Sequence, residues 1–179
     1  MFVKEPMHKQ ASDYVYEEFH LWREKYSDLS ENCSNLNILE IGSLDINGSV
    51  RDFLEPFAGQ YIGIDAQKGK GVDLVVDGAT YSKPNHYDVI VCCEVFEHTP
   101  DWKQIIKLSM DNLVDGGIFI TTMAGEGRPP HSAIDTDKIR EWEHYANIGE
   151  WELNQTMKGF FKESATNVSG QDLRAWGVK

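Results

Sequence analysis

Residues 36–49 have the sequence Leu-Asn-Ile-Leu-Glu-Ile-Gly-Ser-Leu-Asp-Ile-Asn-Gly-Ser, and this stretch decides which fold we expect. The apolar run Leu36–Ile41 is typical of a short buried strand. Gly42 allows a tight turn and a close ligand approach at the strand end. Gly48 does the same before a helix that Ser49 can cap and that carries Asp52 in its first turn. The stretch therefore predicts a strand, a ligand-binding turn and a helix that ends near Gly59.

Two acidic residues, Glu40 and Asp45, indicate which ligand this turn would accept. They would repel the pyrophosphate of a dinucleotide, and the Gly-x-Gly-x-x-Gly pattern of dinucleotide folds is missing. They would attract a cation. Asp65 ends the next predicted strand, 61–65, close to the ~20-residue offset at which a carboxylate binds a ribose in related folds. We therefore expect a ligand with a cationic part and a ribose; an ordinary strand–turn–helix connection is the alternative.

Apolar runs and helical periodicities alternate along the rest of the chain. Residues 8–26 place Ala11, Tyr14, Val15, Phe19 and Trp22 on one helix face. Further helices are predicted at 99–113, opened by Thr99-Pro100, and at 149–161. Alternation of this kind favours a parallel sheet with helices on both faces, in which ligands bind beyond the carboxyl ends of the strands. The remaining predicted strands are 72–76, Tyr87–Cys93, 118–123 (after a turn at Asp115-Gly116-Gly117), 162–168 and Asp172–Val178, the last two forming a hairpin.

Composition narrows the classes of function. The chain has 179 residues with a formal net charge of −12, and no basic patch that would favour nucleic acid as a substrate. No apolar run approaches the ~20 residues of a membrane span, and residues 1–10 lack the apolar stretch of a secretory signal, so a cytoplasmic location is expected. Cys33, Cys92 and Cys93 have no zinc-site spacing and are expected to be reduced thiols; no metal site is expected.

The motifs, taken in order, resemble the class I S-adenosylmethionine-dependent methyltransferases, and in particular their small type 11 and type 23 members. The glycine stretch is followed by Tyr-Ile-Gly-Ile-Asp at 61–65 and by Val-Val-Asp-Gly at 75–78. Residues 87–98 then match the pattern Phe-Asp-x-Val followed by Glu-His, and 113–117 match Leu-x-Pro-Gly-Gly with Asp115 in place of proline. The resemblance covers about 36–178. It implies a Rossmann-like, doubly wound α/β sheet of seven strands, mostly parallel with an antiparallel C-terminal hairpin, and helices on both faces.

The resemblance also implies a cofactor and its site. S-adenosylmethionine would be bound along the first four strand ends and would leave as S-adenosylhomocysteine. The matching positions are Glu40, Gly42, Ser43, Asp45, Gly48, Asp65, Ala66, Asp77, Gly78, Cys93, Glu94 and His98.

The methyl acceptor would be bound by the loops after the fourth and fifth strands and by the N-terminal helix. His98 and His131 are the candidate bases, because an unperturbed imidazole titrates near neutral pH. Arg128 could bind an anionic group with its guanidinium. Glu97 and Tyr145 complete the expected acceptor set. Orientation of the following helix is the alternative role for Glu97 and His98, and loop structure is the alternative for His131.

The expected organisation is one methyltransferase domain over 1–179, with an N-terminal helix and lead-in at 1–34 and the sheet core at 35–179. The expected reaction is methyl transfer to an oxygen or nitrogen atom of a small molecule. A non-catalytic module of the same fold, an NAD-dependent oxidoreductase, and a protein or nucleic-acid methyltransferase are the alternatives. A homodimer is left open: Trp142, Trp151 and Trp176 are expected in the core, with a subunit interface as their second option.

Overall fold

The computed structural model describes residues 9–25 and 35–179, and within them seven strands form one sheet in the order β3-β2-β1-β4-β5-β7-β6. Neighbouring strands from β3 to β5 are parallel, and β7 is antiparallel to both β5 and β6. The predicted mixed sheet and its terminal hairpin are confirmed. The strands are β1 Leu36–Ile41, β2 Ala58–Asp65, β3 Leu74–Val75, β4 Tyr87–Cys93, β5 Leu113–Ala124, β6 Glu163–Ser169 and β7 Asp172–Val178.

Strand β1 is the point in the sheet at which the order of the strands reverses. From β1 the sheet extends through β2 to β3 on one side, and the chain then returns to place β4 on the other side of β1. Such a switch point opens a crevice at the carboxyl ends of the two central strands. The loops that follow β1 and β4 therefore flank the same crevice, which is where a ligand of this fold binds.

Helices cover both faces of the sheet, as the alternating pattern predicts. On one face α1 (Lys9–Lys25) and α2 (Arg51–Leu54) pack in a cluster that includes Phe19 and Leu54. All five apolar residues predicted for the α1 face are buried. On the other face α3 (Trp102–Asn112) and α4 (Glu150–Phe160) pack against the sheet. Cys92 lies in this second cluster and Cys93 contacts the first, because successive side chains of a strand alternate between faces.

Two helix boundaries differ from prediction. The helix expected to run to about Gly59 ends at Leu54, continues as a 3-10 turn, Glu55–Phe57, and gives way to β2 at Ala58. Pro56 explains this, because it lacks the N–H that an α-helix would donate to the carbonyl of Asp52. Helix α3 begins at Trp102, three residues later than expected, after the Thr99 hydroxyl accepts a hydrogen bond from the N–H of Asp101 at 3.1 Å.

The turn predicted at Asp115-Gly116-Gly117 lies inside β5. Strand pairing there is irregular, since the register with β4 shifts between Tyr87 and Val89, and Gly116 has a φ of +82°. An irregular segment of β5 thus replaces the expected turn, and glycine permits its left-handed backbone.

Two of the three tryptophans expected in the core are on the surface. Trp142 is 72% exposed and Trp151 is 75% exposed, so the core expectation is wrong for both, whereas Trp176 packs against the α1 face of the sheet. The residues that carry the expected end of α1 (26–34, with Cys33) and His8 lie outside the described residues. Among the described residues, no helix has both the length and the apolar character needed to cross a membrane.

Candidate active site

A cavity of about 720 Å³ lies at the carboxyl ends of β1, β2 and β4. Its walls come from the loops after these strands and from the loop after β5. The cavity is therefore the crevice expected from the strand order. The cavity brings together most of the residues that sequence analysis assigned to a ligand. Those that line it are Glu40, Gly42, Ser43, Gly48, Asp65, Ala66, Asp77, Gly78, Cys93, Glu94, His98, Arg128 and His131.

The turn after β1 is held against the end of β2. The N–H groups of Gly42 and Ser43 both donate to the carbonyl of Ile64, at 2.9 and 3.1 Å. Gly42 has a φ of +77°, and a Cβ there would lie 2.2 Å from the Cγ2 of Val95. Glycine is therefore required at this position for both its backbone conformation and its lack of a side chain.

Glu40 is buried at the base of this turn and is bound by two hydroxyls. Its Oε1 accepts from the Ser49 hydroxyl at 2.9 Å, and its Oε2 accepts from the Tyr61 hydroxyl at 3.0 Å. Burial raises the pKa of the Glu40 carboxyl to about 7, although both hydrogen bonds act in the opposite direction. The neighbouring Arg51 also lowers this pKa, and a ligand that brings further positive charge would favour the ionised carboxylate.

Asp65 lies at the end of β2 on the neighbouring wall of the cavity. Its Oδ1 accepts from the N–H of Gln67 at 2.8 Å, and its Oδ2 accepts from the N–H of Leu44 at 3.3 Å. Partial burial raises its pKa despite these bonds. A carboxylate has about four lone-pair sites, so two remain for the vicinal hydroxyls of a ribose.

Asp45 differs from the expectation that it faces the ligand, because it does not line the cavity. Its Oδ1 accepts from the N–H of Gly48 at 2.9 Å, and its Oδ2 forms an ion pair with Lys70 at 2.5 Å. The side chain thus closes the loop on itself and ties it to the segment after β2. Its role in the structure is to shape the turn.

Asp77 and Gly78 form the cavity wall after β3. The Asp77 carboxylate accepts from the N–H of Ala79 at 2.8 Å and thereby fixes a short turn. A Cβ on Gly78 would lie 2.6 Å from the Cγ2 of Ile41, so a larger residue would push into the floor of the site.

Glu94 stands between the two halves of the cavity in an unusual backbone conformation. It has a φ of +56°, which is uncommon for a non-glycine residue and concentrates at functional sites. Its N–H donates to the carbonyl of Thr122 at 2.8 Å, and its carboxylate accepts from the Thr122 hydroxyl at 3.0 Å. These bonds to β5 hold the strained residue in place.

Arg128 lines the cavity, but its guanidinium is engaged by carboxylates of the chain itself. It forms an ion pair with Asp172 and lies 3.3 Å from Glu94 Oε2, with only 11% of its side chain exposed. Both contacts are made by Nη1, through which Arg128 joins the end of β4 to the start of β7. The expectation that Arg128 clamps an anionic acceptor with its other donors stays a prediction.

His98, His131 and Tyr145 form an aromatic cluster at the acceptor end. Their ring centroids are 5.1 to 5.5 Å apart, with edge-on geometry in each pair. Burial and the neighbouring His131 lower the pKa of His98 to about 4, so its ring is neutral at neutral pH. Tyr145 does not line the cavity; its hydroxyl donates to the carbonyl of Pro129 at 3.3 Å and supports the loop behind His131.

Glu97 also lies behind the cavity wall, not on it. Its side chain is fully buried, and its Oε1 accepts from the N–H of Ala124 at 3.1 Å. Its backbone carbonyl accepts from Ala146 at 2.8 Å. Glu97 thus connects the segment after β4 to the end of β5 and to the segment before α4. Because its side chain is fully buried, it does not contact the cavity directly.

A family profile described as a methyltransferase domain matches residues 14–164. The chain belongs to the methyltransferase domain family. The match covers strands β1 to β5, the glycine turn and the aromatic cluster, so the resemblance seen in the sequence is confirmed, and S-adenosylmethionine is confirmed as the cofactor at the level of the family. No curated protein matches the chain significantly.

Solved structures of methyltransferases share the fold at low sequence identity. The S-adenosylmethionine-dependent methyltransferase of Clostridium acetobutylicum ATCC 824 has a TM-score of 0.63 at 12% identity, with 96% of this chain and 91% of that one covered. The magnesium protoporphyrin IX methyltransferase of Synechocystis PCC 6803, with bound S-adenosylmethionine, has a TM-score of 0.61 at 13% identity, covering 96% and 79%. The DhpI–S-adenosylhomocysteine complex has a TM-score of 0.60 at 13% identity, covering 94% and 90%.

This methyltransferase domain also has cavity residues that sequence analysis missed. Ser132, Ala133 and Thr136 follow His131 in the loop after β5. Ser132 is buried, and its hydroxyl donates to Glu143 at 2.7 Å and accepts from Arg140 at 2.6 Å. The sequence signal was weak, because a run of small and polar residues after a proline-rich loop is typical of any connection. Other polar lining residues outside the predicted set are Asn47, Ser49, Gln67 and Thr99.

Proposed function

We propose that this chain is an S-adenosylmethionine-dependent methyltransferase that methylates an oxygen or nitrogen atom of a small-molecule acceptor. The observation that supports this most directly is the single cavity, which joins the turn after β1 and Asp65 at one end to His98 and His131 at the other. One end has the acidic groups that a cationic nucleoside ligand needs, and the other has side chains able to accept a proton.

The cofactor half would be formed by the ends of β1, β2 and β3. Glu40 and the glycine turn would hold the cationic amino-acid part, and Asp65 would accept hydrogen bonds from the two ribose hydroxyls. The wall at Asp77 and Gly78 would contact the adenine. S-adenosylmethionine, when bound, supplies a methyl group that its sulfonium makes electrophilic.

The acceptor half would be formed by the segments after β4 and β5. Methyl transfer needs alignment of the nucleophile and removal of its proton when it is an alcohol or an ammonium. The imidazole of His131 is the group we assign to this proton, since it lines the cavity from the loop after β5. His98 is the weaker base because burial lowers its pKa, and it would orient His131 through their edge-on contact.

A small acceptor fits the charge of the chain better than a nucleic acid does. The formal net charge is −12, and anionic polymers would be repelled. The acceptor end also contains Glu94 within the same cavity, which adds negative charge where a phosphate backbone would have to approach.

Calorimetry with S-adenosylmethionine, S-adenosylhomocysteine and NAD tests the cofactor part. We expect both sulfur ligands to bind and NAD not to bind; binding of NAD alone would contradict the proposal. Transfer of a labelled methyl group from S-adenosylmethionine to a panel of small hydroxyl and amine compounds then tests the activity. Cofactor binding without transfer to any small molecule, but with transfer to protein or RNA, would contradict the acceptor class.

A further inference from the structure

Three side chains converge behind the acceptor end of the cavity, and the proposed proton transfer uses only the two histidines among them. Glu97, His98 and His131 each place one ligand atom so that all three atoms lie within 4.8 Å of one another. The first two belong to the 3-10 turn Phe96–His98 after β4, and the third comes from the loop after β5. Residues 33 positions apart in the chain are thus brought to one point.

The buried atoms of this cluster have unused bonding capacity. Glu97 is fully buried, yet within the described part of the chain its Oε2 has no hydrogen-bond partner. The Nδ1 of His98 is buried and likewise has no partner among the described residues. Leaving such groups unpaired is costly, and both belong to the same short turn, so a ligand that satisfies both would remove that cost.

The third member is arranged as a metal-binding histidine is. The Nδ1 of His131 lies 3.2 Å from the carbonyl of Pro129. A carbonyl can only accept, so Nδ1 carries the proton and Nε2 keeps its lone pair. The same pattern, in which one ring nitrogen donates to the backbone and the other binds an ion, is common for metal-ligating histidines.

We infer that Glu97, His98 and His131 form a binding site for one divalent transition-metal ion at the acceptor end of the cavity. Two imidazoles and one carboxylate suit Zn²⁺, Mn²⁺, Co²⁺ or Fe²⁺ better than Mg²⁺ or Ca²⁺. Ligand atoms around a tetrahedral Zn²⁺ are about 3.3 Å apart for bonds of about 2.0–2.1 Å. The cluster would therefore have to contract slightly, and His131, on a loop and only partly buried, is the member able to move.

The residues around this three-residue cluster would allow a bound ion to contact the acceptor as well. Three protein ligands leave a coordination position open, and His98 and His131 line the cavity. An acceptor hydroxyl or carbonyl oxygen is the natural fourth ligand. Arg128 is the nearby cation, but Asp172 and Glu94 already neutralise it. The metal site itself does not depend on the proposed methyl transfer; only its contact with the acceptor does. An ion on the Nε2 of His131 would occupy the lone pair assigned to the acceptor proton, so His131 would act as a base only in the chain without the ion.

Calorimetry on the chelator-treated full chain, with Zn²⁺, Mn²⁺ and Mg²⁺ in separate titrations, tests the site, and the visible spectrum with Co²⁺ reports its coordination. We expect one Zn²⁺ per chain and weaker binding of Mg²⁺. Glu97→Gln and His131→Ala should each lower the Zn²⁺ affinity about tenfold or more, since loss even of a group that only supports a ligand costs 10- to 100-fold. His86→Ala is the matched control, because His86 precedes β4 and so lies at the amino end of this strand, opposite the end that carries the cavity.

The variants separate this inference from the proposed function. Glu97→Gln keeps an amide oxygen for the N–H of Ala124, and its thermal unfolding should remain cooperative. Binding of S-adenosylhomocysteine, measured on the same samples, should be unchanged in Glu97→Gln. No Zn²⁺ binding, or Zn²⁺ binding that survives both Glu97→Gln and His131→Ala, would overturn the metal site while S-adenosylhomocysteine binding left the methyltransferase proposal intact. Zn²⁺ binding without S-adenosylhomocysteine binding would support the metal site and contradict the methyltransferase proposal.

Discussion

The carboxylate of Glu40 accepts a hydrogen bond from the hydroxyl of Ser49 at 2.9 Å, and this bond joins the two ends of the glycine turn. The same Ser49 hydroxyl accepts from the N–H of Arg51 at 3.0 Å. One serine thus connects the buried acid on β1 to the first turn of α2. The shape of the cofactor half therefore depends on an ionisable group whose charge is sensitive to pH.

The free energy of unfolding without cofactor should depend on the ionisation of Glu40. Its folded pKa of about 7 lies above the ordinary value of 4.5 for a glutamate side chain, so the folded state binds the proton more tightly than the unfolded state. This contribution is fully present below pH 4.5 and is lost as the pH rises to about 7, and it corresponds to about 3 kcal/mol. In Glu40→Gln this loss should disappear. Urea unfolding of both proteins between pH 4.5 and 8 measures it.

The control for this experiment is Glu141→Gln, at an exposed residue. In this variant the free energy of unfolding should depend on pH in the same way as in the parent protein. If the curves for Glu40→Gln and the parent run parallel from pH 4.5 to 8, Glu40 does not ionise in the folded protein as described.

Asp65 and Asp45 should differ in their effect on cofactor affinity. Asp65 lines the cavity with free lone pairs, so Asp65→Ala should weaken S-adenosylhomocysteine binding by about 1–3 kcal/mol, the range for hydrogen bonds to a charged group. Asp45→Asn keeps an acceptor for the N–H of Gly48 and should change the affinity less than about twofold. Calorimetry distinguishes the two. A tenfold loss in Asp45→Asn would restore the earlier expectation that Asp45 attracts the cation directly.

The local sequence predicts a strand well where the strand is an apolar run that is recognisable by itself, as in β1 and β4. Prediction failed where a distant residue decides the outcome. The direction of the Asp45 side chain follows from Lys70, which lies in the segment after β2. The pairing of Arg128 follows from Asp172, which reaches it only because β7 returns antiparallel to β5. Neither partner can be identified from spacing along the chain.

The acceptor end was predicted less completely than the cofactor end for a related reason. Sequence analysis placed Glu97 on the acceptor, yet its side chain is fully buried behind the wall. Strand alternation gives the face of a residue within a strand, but the 3-10 turn Phe96–His98 has no such rule. The shape of the turn, fixed by hydrogen bonds to β5 and to the segment before α4, decides the orientation.

Loss of Arg128 should destabilise the fold more than an average surface substitution. In Arg128→Met, the carboxylates of Glu94 and Asp172 would be left without their cation in a largely buried position, which should cost about 2–3 kcal/mol in the free energy of unfolding. Asp172→Asn in the same background should recover part of this loss. A double-mutant cycle by urea unfolding measures the coupling, and additive effects of the two substitutions would contradict it.

His131→Ala should separate catalysis from cofactor binding. Its ring lies at the acceptor end, in edge-on contact with His98 and Tyr145 at centroid distances of 5.1 Å, and it belongs to the opposite end of the cavity from Asp65. S-adenosylhomocysteine affinity should therefore stay within about twofold of the parent. The rate of labelled methyl transfer should fall about 100-fold, the lower range for loss of a general base. His144→Ala, an exposed histidine in the segment before α4, is the control. Transfer at the parental rate in His131→Ala would reduce His131 to a structural residue of the loop.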